Sequence, residues 1–145
     1  PAAIAASLVV GVFGGQRLAP QAPVRPDAAP AALAAALDQT PSGQARTVGA
    51  ERFQVSLSFA DHSGDPCRQF VLQGSARNLS GLACRRADGW RLQALIAGPA
   101  THGADFQTAA GPGEDAVSRI ADGLIAGEPF DQAEEARRIA RRWSR

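Results

Sequence analysis

The chain has 145 residues, enough for one domain with a modest core and too few for two sizeable ones, so a large multi-domain enzyme is excluded. Fifteen basic residues, all arginine, face fourteen acids for a formal charge of +1, which excludes a basic nucleic-acid footprint spread over the whole molecule. Lysine, methionine and tyrosine are absent, and a chain that opens on Pro1 without an initiator is expected to be a fragment or a processed form. Two cysteines, Cys67 and Cys84, with only two histidines leave no material for a Cys-rich structural zinc site.

Residues 1–15 carry no charge, and Gln16 and Arg17 end the run. No polar face interrupts it, so it is not an amphipathic helix. At about 1.5 Å per residue it covers roughly 22 Å, less than the roughly 30 Å of a hydrocarbon core. It reads as the outer end (residues 1–17) of a truncated transmembrane helix. The apolar centre of a signal peptide has the same length, and a buried core helix is a third reading that Gly11, Gly14 and Gly15 disfavour. Residues 18–50 turn to alanine and proline, and Pro20, Pro23, Pro26, Pro30 and Pro41 mark an extended linker. Within it, residues 31–38 could form two turns of helix behind Pro30.

The folded unit is expected over residues 51–145. Phe53, Val55, Leu57 and Phe59 alternate with polar residues, the period of a strand buried on one side. Residues 61–66 are turn chemistry, and strands are expected near 67–73 and 79–85 around a turn at Ser75 and Ala76. Asp88-Gly89 is a hairpin turn, followed by Trp90, Leu92, Ala94 and Ile96 as a fourth strand. Four such strands make an antiparallel meander with one apolar face. Beyond Gly111-Pro112-Gly113, the residues Val117, Ile120, Ala121, Leu124 and Ile125 form one helical stripe that would cover that face. Asp131 with Glu134 starts a second helix as a capping box, its apolar side being Ala136, Ile139, Ala140 and Trp143. The fold class is α+β: a small four-stranded antiparallel meander covered by C-terminal helices, preceded by the membrane helix and linker.

A turn centred between Ser75 and Ala76 sets Cys67 directly opposite Cys84. Opposed residues of antiparallel strands hold their Cβ atoms about 4.5–5.5 Å apart, near enough for small adjustments to close a disulfide. Such a bond implies an oxidising compartment. Two buried free thiols are the plain alternative, and a redox pair lacks the Cys-x-x-Cys spacing. Asp61, His62 and Ser63 are contiguous, which argues against a convergent triad, and His62 and His102 read as surface histidines rather than metal ligands. No phosphate loop, nucleophile elbow or dinucleotide fingerprint occurs, so no catalytic residue, cofactor or metal is expected. Arg137, Arg138, Arg141, Arg142 and Arg145 concentrate charge at the end of the chain. They fit either an anionic partner such as phospholipid headgroups or nucleic acid, or the solvated face of a helix paired to Glu134.

The order of these features resembles a known family. An apolar span and an Ala/Pro linker lead to Ser58-Phe59, an acidic turn, Cys67-Arg68-Gln69-Phe70, Gly81-Leu82-Ala83-Cys84-Arg85, Asp88-Gly89-Trp90 and Ala126-Gly127-Glu128-Pro129. A Glu-rich helix ending in Trp143 follows. This is similar to the extracytoplasmic half of bacterial transmembrane anti-sigma factors. The resemblance implies an inner-membrane protein with this domain in the periplasm, held by a single span. It also implies a sigma factor bound through a cytoplasmic domain that this chain lacks, and a regulatory protease that cuts first outside the membrane, in a stretch such as residues 18–50. No direct nucleic-acid binding is implied. Two rivals stand beside it: an exported periplasmic binding module or small enzyme freed by signal-peptide cleavage, which requires a pocket with convergent polar groups, and an assembly factor presenting an exposed Trp143 to a partner.

Overall fold

The computed structural model describes residues 25–100 and 111–144. The expected membrane helix (1–17), the first part of the linker and His102 lie outside the described residues. Among those described, no helix is long and apolar enough to cross a membrane.

Five antiparallel strands, not four, form a meander in the order β1 (Ala45–Val48), β2 (Glu51–Ala60), β3 (Pro66–Gln73), β4 (Arg77–Arg86) and β5 (Gly89–Pro99). Helix α1 (Ala31–Gln39) precedes the sheet, and α2 (Pro112–Leu124) and α3 (Gln132–Ala140) follow it. α1 matches the two helical turns expected over residues 31–38, but it and β1 belong to the folded unit rather than to the linker expected over 18–50. α1 buries Leu33, Ala36 and Leu37, an i, i+3, i+4 stripe, against Phe53, Val55 and Leu72. Pro30 thus stands directly ahead of a helix that is part of the core.

The expectation of a single apolar face is also corrected. Two bulges turn each long alternating strand over at its middle. On β2, Val55 pairs with Phe70 but Leu57 pairs with Gln69, leaving Ser56 as the extra residue. An inserted residue reverses the side-chain phase, so Phe53 and Val55 face α1 whereas Leu57 and Phe59 face α2. β5 repeats the device at Gln93, between Leu92 and Ala94. Trp90 and Leu92 join the α1 side, and Ala94 and Ile96 join the α2 side. One sheet is therefore buried on both faces, with α1 and Trp143 on one and Val117 and Ala121 of α2 on the other.

The segment between α2 and α3 wraps round the free edge of β2. Ala126 N–H donates to Ala60 O at 2.8 Å and Phe130 N–H to Ser58 O at 2.8 Å, which covers exposed strand edge. Residues 27–29 do the same along β5, where Ala29 N–H donates to Trp90 O at 3.0 Å and Leu92 N–H to Asp27 O at 2.7 Å. Asp131 caps α3 through Glu134 N–H as the capping-box pattern implies. The buried residue of α3, however, is Glu135; Ala136 and Ala140 are exposed.

Candidate functional site

β3 and β4 pair with Cys67 opposite Cys84, and the two sulfurs form a disulfide. Both cysteines are fully buried beneath Val117 and Ala121. The Asp61 carboxylate approaches these sulfurs, but with the sulfurs joined the trio offers no thiolate to a metal. Asp61 instead organises its own turn: its Oδ1 accepts from Ser63 N–H at 2.9 Å and Asp65 N–H at 3.0 Å, and its Oδ2 accepts from Arg86 at 2.8 Å. Burial pushes the Asp61 carboxyl up, and the Arg86 guanidinium with the Asp65 and Ser63 amides outweighs it, leaving a net shift below the ordinary value. His62 and Ser63 are exposed in that turn, and the acid serves Arg86 and the backbone.

One residue along from Cys67, on the opposite face, Arg68 is wholly buried. Sequence reasoning gave it no role. Its Nε donates to Ser58 Oγ at 2.9 Å, its Nη1 to the Leu37 carbonyl and its Nη2 to Thr40 O and to Glu135 Oε1, the last at 2.9 Å. Its guanidinium also lies 4.7 Å from the ring centroid of Trp143. Glu135 collects the other donors: Ser58 Oγ at 2.7 Å, Ser42 N–H at 2.9 Å and the Ser42 hydroxyl. Burial pushes the Glu135 carboxyl up; the Ser42 and Ser58 hydrogen bonds and the Arg68 charge more than offset it, and the net shift is downward. Arg68 loses proton affinity through burial, but from so high a value that it stays charged.

This cluster fastens the two ends of the described chain together. The last carbonyls of a helix lack partners within it, and here they are met from afar. Leu37 O and Thr40 O bind Arg68, and Asp38 O accepts from Trp143 Nε1 at 3.1 Å. Asp38 Oδ1 accepts from Trp90 Nε1 at 2.8 Å, and Trp90 meets Trp143 edge-on with centroids 5.7 Å apart. Trp143 is 2% exposed, which removes the reading in which it is presented to a partner. Its segment leaves α3 through a left-handed turn, with φ of 51° at Arg142 and 58° at Trp143. Non-glycine residues hold that conformation where surrounding contacts impose it.

A separate groove of about 290 Å³ opens on the α2 side, lined by Gln54, Ser56, Val71, Gln73, Asn78, Ser80, Pro99 and the first turn of α2. No protein-family model, curated protein or solved structure matches the chain.

Proposed function

We propose that the chain is the non-enzymatic extracytoplasmic sensor and regulatory domain of a membrane-anchored anti-sigma factor. In this reading the sigma factor is held by a cytoplasmic domain beyond these residues. The observation that carries the reading is the buried Cys67–Cys84 disulfide, since structural disulfides persist in oxidising compartments. The order of apolar run, short tether and small stapled domain supports the same topology.

The domain acts as a gate through its stability. α1 and β1 fold residues 31–39 and 45–48 into the domain, so a protease that cuts within these elements must first open it. With both sulfurs under α2, reductant reaches them only once α2 lifts. The trigger is therefore loss of the fold rather than thiol chemistry at the surface. The test is affinity capture of the protein, tagged at its C-terminus, from detergent-solubilised membranes of its native host. A co-purifying sigma factor, released when residues 31–48 are cleaved, is the expected result. Recovery of the protein from the soluble fraction, or from membranes without a sigma factor, overturns the proposal.

One observation favours the rival binding module: the groove beside α2 gathers uncharged amides and hydroxyls from three strands. That reading requires a mature N-terminus close to Leu18, which N-terminal sequencing of the native protein reads directly.

A further inference from the structure

The end of the sheet where the chain arrives is rich in arginine. Arg85 and Arg86 close β4 beside the β4–β5 turn, and with Arg142, Ser144 and Asp65 they line a concavity of about 360 Å³. Ser144 is also a wall of an adjoining concavity of about 240 Å³ that holds Arg137, Arg138 and Arg141. Six arginines thus share one surface.

Three acids face them, and Asp27 and Asp88 at the same end are paired with a further arginine, Arg91. Arg86 is held by Asp61 and Asp65, while Arg137 and Arg138 share Glu134. Arg85, Arg141 and Arg142 form no ion pair among the described residues. The whole chain carries only +1, so a surface with six arginines and three acids leaves the rest of the molecule net negative. An anionic plane would therefore attract this end and repel the other.

We propose that this basic end docks on the anionic phospholipid headgroups of the membrane in which the chain is anchored; the proposal rests on the tethered reading above. Position selects lipid as the occupant. Residues 27–29 join the sheet beside Arg91 and the β4–β5 turn, at the same end as Arg85 and Arg86: Ala28 bridges Arg91, and Arg91 binds Asp27 at 3.2 Å. Seven residues, and so eight Cα–Cα steps, separate Arg17, where the apolar run stops, from Arg25, where the described chain begins. Fully extended at about 3.6 Å each, they reach at most about 29 Å, so this end cannot leave the vicinity of the bilayer. The headgroups' phosphodiesters suit the open guanidiniums of Arg85, Arg141 and Arg142. Docking of this kind would be salt-sensitive.

The test places the full chain in nanodiscs of phosphatidylcholine alone or mixed with phosphatidylglycerol and follows amide hydrogen exchange. With about fivefold in affinity per arginine near an anionic surface, exchange at residues 87–88 and 141–144 should slow by about tenfold or more in the anionic discs at low salt. High salt should remove the difference. The triple variant Arg85→Ala, Arg141→Ala, Arg142→Ala should lose it, and the corresponding lysine variant should retain it. Equal exchange in both discs, with the chain inserted, overturns the docking and leaves the tether standing. A chain that enters neither disc but sediments with phosphatidylglycerol vesicles overturns the tether and keeps the basic surface. Equal competition by a mixed-sequence DNA duplex would replace lipid specificity with general polyanion binding and also overturns the proposal.

Discussion

Replacing Glu135 by alanine strips the paired carboxylate from a guanidinium that has no access to water. The side chains of Arg68 and Glu135 are 0% and 4% exposed, and they meet at 2.9 Å. Removing one partner of a buried pair costs about 3–5 kcal/mol, because the remaining charge keeps its desolvation penalty. Arg68 would retain Ser58 and the carbonyls of Leu37 and Thr40, which places the cost near the lower end, at about 3 kcal/mol. With a urea slope of about 1.5 kcal/mol per molar for a domain of this size, the midpoint should fall by about 2 M with the slope unchanged. Equilibrium urea unfolding followed by tryptophan fluorescence reads this directly, since Trp90 and Trp143 both lie in the cluster's shell. Glu134→Ala, which removes only exposed pairs to Arg137 and Arg138, is the control and should leave the midpoint nearly in place. The double replacement Arg68→Met with Glu135→Leu should recover little of the loss, since it leaves the Leu37 and Thr40 carbonyls and the Ser42 amide without their partners. A midpoint for Glu135→Ala within about 0.5 M of the parent would refute the claim that this pair joins the two ends of the described chain.

Acid should weaken the fold through the same residues. Glu135 and Asp61 bind protons less tightly folded than unfolded, so their stabilisation is complete at neutral pH. It drains away as pH falls below the ordinary carboxyl values of 4.5 and 3.8 toward the folded ones. Melting temperatures from pH 7 downwards should show this, with a flatter profile for Glu135→Gln. Cys67→Ala with Cys84→Ala should cost about 3 kcal/mol, from a crosslink separation of 17 residues, and raise the unfolded fraction roughly a hundredfold. Reduction of the native bond should be slow and accelerate with denaturant, as thiol titration over time would show. Gly81→Ala drives a Cβ into the Phe70 ring, and the overpacking should lower stability by about 1–3 kcal/mol in chemical denaturation.

The strands were legible because Phe53 to Phe59 and Trp90 to Ile96 alternate cleanly, and the Ser75-Ala76 turn set the register that joins Cys67 to Cys84. The same alternation concealed the two faces, since inserting Ser56 or Gln93 changes which side a residue serves without disturbing the period. α1 carried its signal in Leu33, Ala36 and Leu37, but the flanking prolines and alanines read more strongly as linker. β1 is four residues, three of them exposed, and shows no alternation to detect. The pairing of Arg68 with Glu135 spans the domain, and no local pattern announces a charge that a distant helix will neutralise. Ala136 and Ala140 looked like the inner face of α3 because hydrophobicity is the usual reason for burial; here the reason is Arg68.

The topology is tested most directly by trapping thiols in the native host with acid and then alkylating the membrane fraction before and after reduction in denaturant. A crossing near the start of the chain, with the domain on the oxidising side, predicts that Cys67 and Cys84 take up label only after reduction and that the protein stays with the membranes. Both thiols labelled without reductant, or the protein recovered from the cytosol, would contradict it.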